Sequence, residues 1–155
     1  MIEIVKDPAI DDFSKLLELI QTAFAAQEGQ IDPPSSATRL TAGNLRKDSL
    51  EHTLLLAREE GRLVGCVLCQ QQEDSLYLYR LAVDPLAQGK GVGTKLANQV
   101  IAEARMQKLV RVTLKVRCAL TENQAFFAAN GFAIYETGSH PGFDHPTFVR
   151  MERMV

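Results

Sequence analysis

The sequence predicts an α/β (α+β) fold, a mixed and mostly antiparallel central sheet of six to seven strands flanked by about four helices. Two observations carry this expectation. The hydrophobic period changes along the chain from alternation to 3.6-residue spacing and back, and the changes fall at Gly, Pro and Asp. In the middle, three extended runs follow one another across short turns, the pattern of an antiparallel meander. With 155 residues, 46% of them hydrophobic, the chain has the size of one domain with one sizeable core, so a single domain over 1–155 and one site are expected.

Taken in order, Ile2 to Val5 reads as a short strand, and Asp11 to Gln27 sets Phe13, Leu16, Leu17, Ile20 and Phe24 along one face of a first helix. Glu28 to Thr38 contains Gly, paired Pro and Ser, which predicts an irregular loop of the length that often covers a site. A short second helix follows around Thr41 to Lys47. The runs HTLLLARE, RLVGCVLCQQ and SLYLYRLAV, separated at Glu60-Gly61 and Glu73-Asp74, are the meander. Gly91 to Lys108 restores the helical period through Leu96, Val100, Ile101 and Ala104, and VRVTLKV returns to a strand, giving a βαβ-like crossover. Thr121 to Asn130 predicts a short helix closed by Gly131, and FAIYE and TFVRMERM supply the last strands.

Composition excludes several function classes. Basic and acidic residues number 17 and 19, for a net charge of -2, so nothing marks a nucleic-acid surface or an anionic membrane partner. No window reaches 18 uncharged apolar residues, and the first residues lack a basic leader followed by an apolar stretch. The cysteines are Cys66, Cys69 and Cys118, an odd number in a chain whose core needs no disulfide, which points to the reducing cytoplasm. Cys66 and Cys69 have C-x-x-C spacing, yet on a strand positions i and i+3 face opposite sides, so no metal or redox pair is expected. Cys118 is expected to be a buried thiol.

The segment with most chemical content is LAVDPLAQGKGVGTKLANQVI, Leu81 to Ile101, where a strand ends at Asp84-Pro85 and a glycine-rich loop opens a long helix. A helix N-terminus presents unpaired amides and about half a positive charge, and Gly89, Gly91 and Gly93 carry no side chains to keep a phosphate away from it. This is a pyrophosphate cradle. It is not a Walker loop, because the lysine lies between the glycines and not before a Ser or Thr at the helix start. A Rossmann site needs an acidic residue on the following strand, and Val110 to Arg117 holds Lys115 and Arg117 instead.

Gln88-Gly89-Lys90-Gly91-Val92-Gly93 matches the [Q/R]-x-x-G-x-[G/A] pattern of the GNAT N-acetyltransferase family, and the element order resembles that family over nearly the whole chain. The resemblance implies acetyl-coenzyme A as co-substrate, no metal, and transfer of an acetyl group to an amine of a small molecule or protein. It assigns the pantetheine arm to the backbone of Leu81, Ala82 and Val83. It assigns the pyrophosphate to Gln88, Gly89, Lys90, Gly91, Val92, Gly93 and Thr94, with the later helix flanking the thioester. A homodimer, common among such proteins, is left open.

Where family members often carry a tyrosine acid, four residues before the Gly131-Phe132 pair, this chain has Phe127, which donates no proton. The family's frequent asparagine maps onto Leu120, while Asn123 lies one turn further on and is the substitute expected near the pantetheine. Acyl transfer survives the loss, since a thiolate is a fair leaving group with a pKa near about 8.5. The candidate catalytic groups are Tyr77 and Tyr79, on one face of the strand before the loop, and His140, a titrating imidazole in the tail Gly138 to Phe148. The alternative is a non-catalytic acyl-coenzyme A sensor with the same fold. A pure interaction domain would require the glycine loop to be vacant.

Overall fold

The computed structural model describes residues 1–6, 10 and 13–155. Strands β1 (Ile2–Lys6), β2 (Thr53–Glu59), β3 (Arg62–Gln71), β4 (Ser75–Val83), β5 (Arg111–Arg117), β6 (Ala133–Gly138) and β7 (Phe148–Met154) form one sheet in the order β1-β2-β3-β4-β5-β7-β6. All neighbours are antiparallel except β4 and β5. Helices α1 (Ser14–Phe24), α2 (Ala42–Glu51), α3 (Val92–Met106) and α4 (Thr121–Ala129) cover it.

Both faces of the central strands β2 and β3 are buried, which explains why they are hydrophobic almost without interruption. Leu54, Leu56, Cys66 and Leu68 pack with Phe13, Leu16, Ile20 and Leu45 of the α1 and α2 layer. Leu55, Ala57, Val67 and Cys69 point the other way, to Val92, Leu96 and Val100 of α3. Cys66 and Cys69 therefore lie on opposite faces, as strand geometry requires. Leu96 and Val100 are fully buried, each contributing about 1.5–3 kcal/mol by removal from water.

Several boundaries and one burial differ from the expectation, most of them by one or two residues. The described part of the first helix begins at Ser14 and tightens into a 3₁₀ turn at Ala25–Gln27; Asp11, where the reading began it, lies outside the described residues. Along it Leu19 is buried while Leu17 and Phe24 are half-buried, because Phe24 faces the clefts described below. Helix α2 runs on to Glu51, past the expected Lys47, started by a capping box in which the Thr41 hydroxyl accepts from the Asn44 amide and the Asn44 side chain accepts from the Thr41 amide. Cys118 is half-buried at the rim of the core, not fully buried as expected, because β5 has already ended there.

One irregularity of the sheet positions the site. Strands β4 and β5 pair over Ser75–Tyr77 and Arg111–Thr113 only, after which β5 continues its ladder with β7 alone. The two parallel strands separate toward their C-terminal ends, where ligands enter sheets of this kind. Opposite the gap, the register between β3 and β4 slips near Arg80, whose φ of 55° is unusual for a residue with a side chain. Among the described residues no helix is long and apolar enough to cross a membrane.

Candidate active site

The gap between β4 and β5 opens into two clefts that meet at Phe24, Gln27, Leu81, Asn123 and Phe127. The first, about 390 Å³, runs along Leu81, Ala82 and Val83 to the glycine loop and is walled by Ala23 of α1 and Phe126 of α4. Its far end is made by Gln88, Gly89, Gly91, Val92, Gly93 and Thr94. The chain reaches that end through a 3₁₀ turn, Pro85–Ala87, capped by Asp84, whose carboxylate accepts from the Leu86 amide at 2.9 Å.

At the start of α3, Gly91 has φ 77°, the left-handed conformation in which a side chain is strained. No side chain caps this end, and the first helical bond runs from the Lys95 amide to the Gly91 carbonyl at 3.0 Å. The amides of Val92, Gly93 and Thr94 thus stand ahead of the first helical bond, where the helix dipole favours an anion. A second glycine allows the helix to sit this low on the sheet: a Cβ on Gly65 would lie 2.8 Å from the Val92 side chain. Lys90 turns away. Its ammonium bonds the Glu59 carboxylate at 3.0 Å, which holds that carboxyl below its ordinary value, and the lysine is absent from the cleft wall.

The second cleft, about 300 Å³, lies on the other side of Phe127 and collects Tyr77, Tyr79, Arg80, Lys115, Arg117, His140 and Phe148 from β4, β5, β7 and the tail loop, with Ser35 and Ser36 from the loop after α1. Tyr77 and Tyr79 do share a face: their rings stack at 5.8 Å between centroids, 13° from parallel. Burial raises both phenol pKa values, with the Asp48 carboxylate adding to the rise at Tyr79. The neutral Tyr79 hydroxyl is 2.5 Å from Nδ1 of His52, a residue the sequence reading passed over because it precedes β2 with no motif around it. His140 is held by Thr147, whose hydroxyl accepts from the His140 amide at 2.9 Å and also contacts its ring nitrogen. Burial, Arg117 and Lys115 together lower the His140 pKa, so the imidazole is neutral near pH 7.

Phe127 fills the wall between the clefts, buried edge-on against Phe126 and Phe132. Asn123 borders both clefts from the exposed first turns of α4, and Leu120 precedes that helix without capping it. The junction from β5 into α4 is tied by Gln124, whose side-chain amide donates to the carbonyls of Arg117 and Cys118 at 3.1 and 3.0 Å. Among the described residues no group of three His, Cys, Asp or Glu side chains is placed to hold a metal ion.

Comparison with known proteins agrees with this geometry. The family model for the Acetyltransferase (GNAT) family matches residues 13–132. A [ribosomal protein bS18]-alanine N-acetyltransferase of Haemophilus ducreyi is 28% identical over 121 residues, 78% of this chain and 76% of that protein. The PaiA N-acetyltransferase of Thermoplasma acidophilum, solved in complex with coenzyme A, superposes with a TM-score of 0.86 at 17% identity, over 100% of this chain and 99% of the other. The ribosomal-protein-S18-alanine N-acetyltransferase of Escherichia coli gives 0.76 at 18% identity, over 99% and 94%. These structural likenesses bear on the fold, and the family model on descent. The chain belongs to the GNAT acetyltransferase family and is an N-acetyltransferase.

Proposed function

We propose that residues 1–155 act as one cytoplasmic N-acetyltransferase domain in which the glycine-loop cleft holds acetyl-coenzyme A and the second cleft receives the amine. The observation that carries this reading is the parting of β4 from β5 after Tyr77 and Thr113, which brings both clefts to one junction at Leu81, Asn123 and Phe127. The pyrophosphate rests on the amides from Gly89 to Thr94, and the pantetheine extends along Leu81 to Val83, replacing the strand partner that β5 ceases to be. Its thioester then lies beside Phe127 and Asn123, facing the second cleft.

The amine attacks the thioester carbonyl directly, and a backbone N–H of the β4 irregularity near Arg80 stabilises the developing oxyanion. Tyr79 takes the proton released by the amine while its own proton passes to Nδ1 of His52. Tyr77 supports the Tyr79 ring, and neutral His140 is the second group able to accept a proton. Coenzyme A leaves as the thiolate past Phe127, without a side-chain acid.

The acceptor is a primary amine of a small molecule or a protein; the Haemophilus ducreyi relative, by its name, acts on an alanine of a ribosomal protein. The test is coenzyme A release from acetyl-coenzyme A with and without added amines. Release that depends on an amine, and falls in Tyr79→Phe, supports the reading; acetyl-coenzyme A binding with no amine-dependent release contradicts it.

A further inference from the structure

Three cationic side chains, Arg80, Lys115 and Arg117, line the second cleft, and among the described residues no Asp or Glu lines it, although acids outnumber bases in the whole chain. The cations are not neutralised by their contacts. Arg117 donates to the carbonyls of Pro33 and Pro34 at 2.6 and 3.2 Å, and Arg80 donates from Nη2 to the Ser36 hydroxyl at 3.1 Å. Such partners satisfy N–H groups and cancel no charge. The Lys115 ammonium lies over the Phe148 ring at 4.7 Å, and among the described residues none of the three makes an ion pair. The carboxylates that act on them do so from outside the wall, Asp48 on Arg80 and Asp32 on Arg117, while Arg150 adds positive charge behind Lys115.

The hydrogen bonding of Arg80 is also incomplete. Nε of Arg80 is buried and has no hydrogen-bond acceptor among the described residues. Buried donors are nearly always satisfied, and a guanidinium pairs readily with a carboxylate. The glycine-loop cleft is lined by none of these three residues, so they are not part of the pyrophosphate cradle.

We propose that the second cleft selects small primary amines that also carry a carboxylate, with Arg80, Lys115 and Arg117 receiving the carboxylate while the amine reaches the thioester. This rests on the assignment of that cleft to the acceptor. The same charges disfavour polyamines and aminoglycosides, whose additional ammonium groups would meet like charge. They also help the one amine that enters to shed its proton, since nearby cations favour its neutral form. The cleft, about 300 Å³, has room for an amino-acid-sized acceptor, and it adjoins a further cleft of about 610 Å³ at Phe24, Gln27, Ile31 and Ser35.

The experiment measures kcat/KM at saturating acetyl-coenzyme A for amino carboxylates from glycine to 6-aminohexanoate, each against its own amide at equal free-base concentration. Spermidine and a peptide with an acidic second residue complete the panel. The expected result is that at least one free amino carboxylate exceeds its amide by about tenfold or more, that Lys115→Glu and Arg80→Gln each shrink the ratio, and that KM for acetyl-coenzyme A stays within about twofold. A preference for the peptide over every free amino carboxylate would overturn the small-molecule assignment. Preferred turnover of amides or spermidine would overturn the inference and leave the transferase reading standing. No coenzyme A release with any amine would overturn both.

Discussion

The two clefts that meet at Phe127 are built from different materials. The glycine-loop cleft is main chain: the amides ahead of the first bond of α3, the edge of β4 left by β5, and glycines that keep side chains away. The second cleft is side chain, drawn from β4, β5, β7, the tail loop and the loop after α1, and its character is set by charge and phenol groups. A site for a constant co-substrate can be written into backbone geometry. A site for a particular acceptor has to be written into side chains, which are free to differ while the fold stays the same.

The largest expected effect breaks the first cleft. Gly91→Glu introduces a strained left-handed residue and a negative charge at the proposed pyrophosphate position, and acetyl-coenzyme A affinity measured by calorimetry should fall by about 100-fold or more. Gly91→Asn, which tolerates the conformation without adding charge, should retain most of the affinity. The next effect is confined to the second cleft. Tyr79→Phe should lower kcat by about 10- to 100-fold with the acetyl-coenzyme A affinity unchanged, and His52→Ala should lower it in the same direction by less.

At the wall between the clefts a small effect is expected. Phe127→Tyr should change kcat by less than about threefold between pH 6 and 8, because the departing thiolate needs little help. A rate gain confined to low pH would show that protonation of the leaving group limits the reaction. A smaller effect still concerns stability. The His140 pKa is lower in the folded chain than in the unfolded one, so between the two values the unfolded chain binds more protons. Stability should therefore decline as pH falls below about 6.5, and His140→Asn should flatten that part of the unfolding profile. Thiol labelling gives the last contrast: Cys66, fully buried with its pKa raised to about 12, should label only on unfolding, and half-buried Cys118 should label first.

The difference between the clefts also explains what could be read in advance. The glycine loop was legible because backbone requirements leave marks at fixed spacing: a strand end, three glycines, then a helical period. The meander was legible to within a residue at most of its ends because it is covered on both faces and its turns are polar. Tyr77 and Tyr79 were placed on one face by strand alternation alone. His52 was not visible, since its link to Tyr79 joins residues 27 positions apart across the start of a strand. Arg80, Lys115 and Arg117 were equally hidden as a group. Each is an ordinary cation in its own strand, and only the parting of β4 from β5 makes them walls of one space. Lys90 lies inside the motif, and its ammonium pairs with Glu59 across from the loop, a contact that no local pattern announces.

Whether the two clefts are separate sites sharing one junction is decided by calorimetric titration of acetyl-coenzyme A into the parent chain, Gly91→Glu and Lys115→Glu. Binding should be lost in the first variant and stay within about twofold in the second, since Lys115 lies outside the glycine-loop cleft. Loss of binding in Lys115→Glu, or full affinity in Gly91→Glu, would contradict that separation.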